Sequence, residues 1–213
     1  MTLSSATDQI GEAFAGLGPS CVVLRLAPGE EIFGEGEPAD YVYQVESGTA
    51  CTYRILSDGR RQVCEFHLPG EFIGLEAGVE HRASAEGLTS VAVVAVRRSA
   101  LASLAATDLA LSRRLWELAI KGMQQSQNHA SMLGRLGALE RVAAFLVDFA
   151  ERVGARDAMD LPMTRQDIAD YLGLTMHTVS RTLSQLQSEG FIDARSSRHV
   201  ELRRQAALAD LCA

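Results

Sequence analysis

Residues 161–190 have the sequence LPMTRQDIADYLGLTMHTVSRTLSQLQSEG, and this stretch decides the fold of the C-terminal part of the chain. Thr164, with Asp167 three positions later, is typical of a helix N-cap with a capping box, so a helix of about eight residues is predicted to begin there. Gly173 can adopt the positive φ that ends a helix, and Thr175 can cap the next one. Two short helices joined by so tight a glycine turn predict a helix-turn-helix.

The second helix of this motif has an apolar and a polar face. Val179, Leu183 and Leu186 recur at i, i+4 and i+7, so they are predicted to face the core. The opposite face consists of His177, Ser180, Arg181 and Ser184. Arginine can donate two hydrogen bonds to O6 and N7 of guanine, serine can bond a base edge or touch a thymine methyl, and histidine offers one donor and one acceptor. We therefore predict DNA base contacts by His177, Ser180 and Arg181.

A basic wing is predicted after the helix-turn-helix. Phe191–Asp193 and His199–Leu202 have strand character and flank the loop Arg195-Ser-Ser-Arg198, which would lie beside a DNA backbone. The start of the first helix also suits phosphate, because backbone amides point at anions there. The predicted backbone contacts are Thr164, Arg165, Gln166, Thr175, Thr178, Ser184, Arg195 and Arg198.

The segment from Cys21 to Val96 predicts an antiparallel β-barrel or sandwich. Short alternating strands are separated by turn residues at Pro28-Gly29, Glu37-Pro38, Ser47-Gly48, Asp58-Gly59 and Pro69-Gly70. Asp58-Gly59 is a strong two-residue hairpin signal, and Val91–Val96 is a fully apolar closing strand.

A long helix follows, from Asp108 to about Leu136, with a predicted length of about 40 Å at 1.5 Å per residue. Two stripes with heptad-like spacing compete for its contacts. One is Leu115, Leu118, Gly122, Gln125, His129, Met132 and Leu136; the other is Trp116, Ala119, Met123, Ser126, Ala130 and Leu133. The second is more continuously apolar or small, so we predict that it forms the dimer interface. The alternative is that both stripes pack on the chain's own barrel. Gly134 and Gly137 are a candidate hinge before a helix over Ala138–Val153.

Composition places the chain among globular proteins. The 213 residues are 47% hydrophobic, without a membrane-spanning run or a signal-peptide pattern, and this predicts a cytoplasmic protein. The net charge of −7 is unusual for a DNA-binding protein, but residues 161–204 contain six arginines against five acids. Four widely spaced cysteines in such a chain do not predict a disulfide framework.

These motifs resemble the CRP/FNR family over nearly the whole chain. Pro28-Gly29-Glu, the segment from Tyr41 to Gly48, Asp58-Gly59-Arg60 and Pro69-Gly70-Glu-Phe-Ile-Gly74 resemble its cyclic-nucleotide-binding-type barrel. Thr164 to Gly173, followed by Val179-Ser180-Arg181, resembles its DNA-binding end. In the FNR and FixK branches a Glu-x-x-Ser-Arg pattern reads half-sites resembling TTGA. Ser180 and Arg181 match that pattern here, whereas His177 stands in the place of the glutamate.

The resemblance also raises the question of an effector. A cyclic-nucleotide site in this family needs a Gly-Glu pair, a second Glu for the ribose and an Arg-Ser or Arg-Thr pair for the phosphate. Gly70-Glu71 and Arg82 are present, but Ala83 replaces the hydroxyl and Glu76 is out of step, so we expect no cyclic nucleotide. An FNR-type iron-sulfur cluster needs cysteines near the N-terminus, and none precedes Cys21. Haem or metal binding by Cys64 and His67 is not expected either, because residues three apart on a strand point to opposite faces.

Other classes of protein fit less well. A cupin-type enzyme needs a His-x-His pair, and the five histidines are scattered, so we expect no enzyme. A small-molecule-sensing module without DNA binding would leave Arg181 unused. A cyclic-nucleotide-dependent CRP-like regulator is the remaining alternative.

The sequence thus predicts an α+β protein in three parts: a sensor barrel (jelly roll) over residues 1–107, a dimerisation helix over 108–137, and a winged helix-turn-helix over 138–213. The resemblance implies a homodimeric transcription regulator that binds a palindromic TTGA-like site and contacts RNA polymerase. By likeness to FixK, we expect an activator of genes for low-oxygen or nitrogen-oxide respiration.

Overall fold

The structure is a computed structural model that describes residues 21–194, 196 and 198–212. Its elements in chain order are β1 Cys21–Leu26, β2 Glu31–Phe33, β3 Tyr41–Ser47, β4 Ala50–Ile55, β5 Arg61–His67, β6 Phe72–Ile73, β7 Ser84–Gly87, β8 Val91–Arg97, α1 Arg98–Ala105, α2 Leu109–Arg135, α3 Ala138–Val153, β9 Ala158–Asp160, α4 Arg165–Leu172, α5 Met176–Ser188, β10 Ile192–Asp193, β11 His199–Leu202 and α6 Gln205–Asp210.

The chain divides into two compact units. The first runs to Arg60 and continues over Cys64–Gln124; the second comprises Arg61–Val63 and everything from Gln125 onward. The division falls inside α2, so this helix contributes to both units.

The first unit contains the predicted double-sheet barrel. One sheet has the strand order β1-β8-β3-β6 and the other β2-β7-β4-β5. Side chains of both sheets form one core, among them Val45 and Val93 from the first sheet and Phe33 and Ala85 from the second.

A tight turn joins β4 to β5, but its loop has three residues, Ser57–Gly59, and not the two that were predicted. The Leu56 N–H donates to Arg60 O at 2.8 Å across it. Only Gly59 has a positive φ, of 84°, as in a type I turn that ends in a left-handed residue.

The outer face of the first sheet is covered by helices. Val42 of β3 and Val96 of β8 are buried with Leu101 of α1 and Leu111 of α2. This packing explains why β3 is buried on both faces. It also explains why apolar and polar residues alternate only weakly along its sequence.

The second unit is built around α3. Its apolar face, predicted from the helical spacing of Val142, Phe145, Leu146 and Phe149, is buried. The helix-turn-helix packs on it, and Ile168, Leu172, Val179, Leu183 and Leu186 are all at most 3% exposed. The third sheet has the strand order β10-β11-β9 and therefore takes in one strand that precedes the helix-turn-helix.

Candidate nucleic-acid interface

The first helix of the motif begins with the predicted capping box. Thr164 Oγ1 accepts a hydrogen bond from the backbone N–H of Asp167 at 3.2 Å, and the Asp167 carboxylate accepts one from the N–H of Thr164 at 2.8 Å. The helix covers Arg165–Leu172, which confirms the predicted length of eight residues. Gly173 then adopts φ 62° and ψ 37°, a left-handed conformation that costs glycine little.

The second helix, α5, begins at Met176, three residues after Gly173. Thr175 is its N-cap, and its Oγ1 accepts from the N–H of Thr178 at 3.1 Å. Leu174 N–H bonds back to the carbonyl of Ala169 at 2.9 Å, which closes the turn between the helices. The caps hold each helix start in place, so the direction of α5 is set by local hydrogen bonds as well as by its buried face.

The predicted reading face of α5 is accessible. His177 and Arg181 are exposed, whereas Ser180 between them is half-buried. Ser184 is exposed, but its hydroxyl donates to the carbonyl of Ser180 at 3.1 Å. Arg181 therefore lies one helical turn beyond His177 on a face that is open at the N-terminal half of the helix.

Several residues predicted to contact phosphate already make hydrogen bonds inside the motif. The Thr164 hydroxyl donates to the Asp167 carboxylate at 2.6 Å, and the Gln166 amide donates to Asp170 at 2.6 Å. Thr175 and Thr178 share a hydroxyl–hydroxyl bond of 2.9 Å. Arg165 is half-buried at the start of α4. A phosphate contact by any of these hydroxyls or by the Gln166 amide would have to add to, or replace, an existing bond.

The wing is formed by β10 and β11, which pair antiparallel with Ile192 opposite Leu202. Arg198 is described and exposed next to β11, while Arg195 lies outside the described residues. His199 Nδ1 lies 2.7 Å from Asp160 of β9, so the base of the wing is joined to the third strand of its sheet.

The two stripes of α2 differ in their surroundings. All seven members of the first are partly buried, and Leu115 and Leu118 pack against the core of the first unit. In the second stripe Trp116 is 69% and Met123 is 55% exposed; Ala119, Ser126 and Ala130 are also exposed, and Leu133 is half-buried. The second stripe therefore presents a largely solvent-exposed face of apolar and small residues.

Glu71 and Glu76, the two acids compared with a cyclic-nucleotide site, make hydrogen bonds within the barrel. The Glu71 carboxylate accepts from the N–H of Leu68 at 3.0 Å. Glu76 accepts from the backbone N–H of Arg82 at 3.0 Å and lies 2.5 Å from Nδ1 of the buried His81. The Arg82 residue itself is exposed.

The cysteines and His67 belong to no metal-binding cluster in the described part of the chain. Within the part of the chain that the structure describes, no disulfide joins Cys21, Cys51, Cys64 or Cys212. Burial raises the pKa of the thiols of Cys21, Cys64 and Cys212. His67 is buried and bonds to Thr52 Oγ1 at 3.2 Å. Among the described residues, no three His, Cys, Asp or Glu side chains are grouped to hold a metal ion, and no helix is long and apolar enough to cross a membrane.

Two exposed residues of α5 were not among the predicted contacts. Met176, the first residue of α5, is 41% exposed beside His177, and Gln185 is exposed one turn beyond Arg181. Their signal was available, because a residue just after an N-cap and one at i+4 from a reading residue share its surface. The strand β9 was also missed, because a strand of only three residues, Ala158–Asp160, is too short to show an alternation of apolar and polar residues.

Comparison with known proteins agrees with this architecture. The model of the Crp-like helix-turn-helix domain matches residues 140–211, and that of the cyclic nucleotide-binding domain matches residues 23–108. The nitrogen fixation regulation protein FixK of Rhizobium meliloti (strain 1021) is 44% identical over 191 residues, which cover 90% of this chain and 87% of the relative. FixK of Azorhizobium caulinodans is 43% identical over 205 residues, covering 94% of this chain and 82% of the relative.

A solved structure gives the same result. The structure of FixK2 from Bradyrhizobium japonicum superposes with a TM-score of 0.87 at 44% identity, and the match covers 91% of this chain and 98% of that one. The two domain models match in the predicted order, and the relatives match over most of the chain. All of these comparisons therefore point to the same family. The chain belongs to the CRP/FNR family of transcription regulators, in its FixK/FNR-like branch.

Proposed function

We propose that this regulator binds, as a homodimer, a palindromic DNA site with TTGA-like half-sites, and that α5 is the helix that enters the major groove. The observation that carries this proposal is the division of α5 into two faces. Val179, Leu183 and Leu186 are buried against the second unit, while His177 and Arg181 are exposed. An exposed face of donors at the N-terminal half of a second helix is the arrangement with which helix-turn-helix proteins contact base edges.

Arg181 has the main role in base recognition in this proposal. Its guanidinium can donate two parallel hydrogen bonds to O6 and N7 of one guanine, a geometry that no other base pair offers in the major groove. Ser180 precedes it and is half-buried, and its hydroxyl is suited to bond a base edge or touch a thymine methyl group. Met176 adds an apolar surface suited to a thymine methyl group.

His177 modifies the specificity. A glutamate in this place accepts a hydrogen bond from a cytosine amino group, whereas a histidine accepts only through a ring nitrogen that carries no proton. We expect the base pair opposite His177 to be less strictly specified than in relatives with glutamate.

The second stripe of α2 is the proposed dimer interface. Its exposed Trp116 and Met123 would be buried against the same stripe of a second copy, and its small residues Ala119, Ser126 and Ala130 would allow two helices to approach closely. A two-fold axis along this seam would present two α5 helices to successive major grooves, about 34–36 Å apart.

The proposed output is activation of transcription through contact with RNA polymerase, without a cyclic nucleotide, haem or iron-sulfur cluster. The hydrogen bonds that already occupy Glu71 and Glu76 support independence from cyclic nucleotides. Relatives named as regulators of nitrogen fixation, as a transcriptional activatory protein and as anaerobic regulatory proteins support a role in low-oxygen or nitrogen-oxide respiration. A cyclic-nucleotide-dependent regulator is the second candidate, because the matching barrel model is that of a cyclic nucleotide-binding domain.

The test is equilibrium binding of the purified full chain to a duplex bearing a TTGA-type palindrome and to a scrambled duplex of the same length, over a salt series. Tight binding to the palindrome without additives is expected. If neither duplex is preferred, either the DNA site differs from TTGA or an effector is missing. A selection from randomised DNA, with and without cyclic AMP, distinguishes these two explanations. Selection of a different palindrome without the nucleotide would reject TTGA reading, while selection only with it would reject effector-free binding. His177→Glu should sharpen the preference at one base pair of each half-site.

A further inference from the structure

The junction between α2 and α3 contains one guanidinium that binds three carbonyl groups. Arg141, in the first turns of α3, donates from Nη2 to Leu133 O at 2.8 Å and from Nε to Leu136 O at 2.9 Å. Its Nη1 donates to Leu172 O at 3.0 Å. Leu133 lies in the last turn of α2, Leu136 directly follows that helix, and Leu172 is the last residue of α4. Carbonyls at the C-terminal end of a helix lack partners within that helix, and a cation is favoured there. Arg141 meets this condition at the C-terminal ends of both α2 and α4.

A second connection lies one turn earlier in α2. His129 Nε2 is 2.9 Å from Tyr171 O, and because a carbonyl can only accept, this nitrogen carries the proton. The two rings stack with centroids 4.0 Å apart and an interplanar angle of 7°. The carbonyls of Tyr171 and Leu172 are consecutive, so the last turn of α4 is held by His129 of α2 and by Arg141 at the start of α3. All of these residues belong to the second unit.

These bonds span the two glycines that the sequence marks as a hinge. Gly134 and Gly137 lie between His129 and Arg141, and the Arg141 contacts join the chain before and after them. Glu140 adds a bond of 2.6 Å to the N–H of Gly137, which fixes the start of α3. The segment most able to bend is therefore held by four side-chain hydrogen bonds to main-chain carbonyls and one to a main-chain amide.

We propose that Arg141 and His129 are positioning residues that fix the helix-turn-helix relative to the dimerisation helix and thereby set the half-site spacing that the regulator accepts. The inference rests on the proposed homodimer on a palindrome. Ser126, Ala130 and Leu133, on the C-terminal half of α2, belong to the proposed dimer seam, and α4 leads through Gly173 into the reading helix. A rigid connection between seam and reading helix determines the distance between the two Arg181 side chains. Adding or removing one base pair moves a half-site by about 3.4 Å and rotates it around the duplex axis, so a rigid dimer discriminates against it.

The test compares spacer preference among full-length variants. Wild type, Arg141→Ala, Arg141→Lys and the control Arg135→Ala are titrated onto palindromes with the preferred spacer and with one base pair more or fewer. Arg135 is exposed at the end of α2, so its removal takes the same charge from the same junction but leaves the three carbonyl bonds. Arg141→Ala and Arg141→Lys are expected to reduce the spacer preference about threefold to thirtyfold, because a lysine ammonium cannot bind three carbonyls in a fork. Arg135→Ala should match the wild type.

Base preference is the readout that separates positioning from general damage. The ratio of affinities for TTGA-type and scrambled half-sites should stay at the wild-type value in Arg141→Ala, while the spacer ratio falls. Unchanged spacer preference in Arg141→Ala would overturn the proposal. If Arg141→Ala is poorly folded by circular dichroism, His129→Phe keeps the ring stack and removes only the hydrogen bond, and it should show the same loss of spacer preference in weaker form.

Hydrogen exchange gives a test that does not depend on DNA. Faster exchange of the amides at residues 134–138 and 173–175 in Arg141→Ala than in Arg135→Ala would support the connection even if the wild type prefers no TTGA palindrome. Equal exchange in the two variants would overturn it. Failure of the DNA-binding proposal and failure of the positioning proposal are thus distinguished.

Discussion

Arg181 is exposed on the polar face of α5 and is not part of the buried core. We expect Arg181→Ala to leave the fold intact and to weaken binding to a TTGA-type palindrome by about 1–3 kcal/mol per half-site contact. The preference at one base pair of each half-site should relax, because the bidentate contact to guanine is lost. Competition binding with single-base variants of the palindrome measures both effects. An equal loss on palindromic and random DNA would show that Arg181 binds phosphate instead.

Cys64 illustrates how burial controls a reactive group. Burial raises the pKa of its thiol, and the nearby Arg54 only partly opposes that effect. The thiolate is the reactive form, so at pH 7 Cys64 should react with iodoacetamide more slowly than free cysteine, and the rate should rise as the pH is raised. Peptide mass spectrometry over pH 7–10, in native and denatured protein, measures the rate at this site. A rate at neutral pH equal to that of the denatured chain would contradict the expectation.

At the scale of single elements, the caps of the helix-turn-helix were the most predictable part of the molecule. A Thr or Asp at a fixed offset makes its bond within a few residues, so tertiary structure has little opportunity to override it. The structure confirms Thr164, Asp167, Gly173 and Thr175 in the positions that the sequence predicts. Strand β9 lacked such a local signal, because its partner β11 lies about forty residues away and only that pairing defines it.

Thr175 allows this local contribution to be measured. Thr175→Ala removes the acceptor for the N–H of Thr178 and is expected to lower the free energy of unfolding by about 1 kcal/mol. Thr175→Ser keeps the hydroxyl and should retain most of the stability. Urea unfolding followed by circular dichroism compares the two, and equal losses would mean that the methyl group rather than the cap matters.

The two stripes of α2 both have heptad spacing, and the sequence favours the second as a seam only by its more continuous run of apolar and small residues. The structure separates them by a different property, because Leu115 and Leu118 of the first stripe pack against the first unit's core. Trp116→Glu is expected to leave that core intact, since Trp116 is 69% exposed, and to shift the protein from dimer to monomer. Sedimentation equilibrium gives the mass. The control Lys121→Glu introduces a glutamate on the opposite, exposed side of α2, and this variant should remain dimeric. If Trp116→Glu is also dimeric, the interface lies elsewhere.

For the whole molecule, the distribution of charge affects DNA binding more than the net charge does. The chain carries a formal net charge of −7, yet its proposed interface presents Arg181 and Arg198. Binding should depend on a small number of phosphate contacts and should weaken as salt is raised. Arg198→Ala is expected to weaken binding to the palindrome and to random DNA to a similar degree. It should also reduce the slope of the logarithm of the binding constant against the logarithm of the salt concentration by about 1. A slope equal to that of the wild type would remove the wing arginine from the interface.

Strand β9 also determines how the protein can be divided. It lies between α3 and the helix-turn-helix and supplies the third strand to the sheet that carries the wing. A fragment that begins at Pro162 would contain every residue of the helix-turn-helix and of the wing strands, but it would leave one edge of β11 with unpaired N–H and C=O groups. Such an edge favours pairing with a second chain and aggregation. The smallest autonomous DNA-binding fragment therefore has to begin upstream of Ala158, well before the motif by which it is recognised.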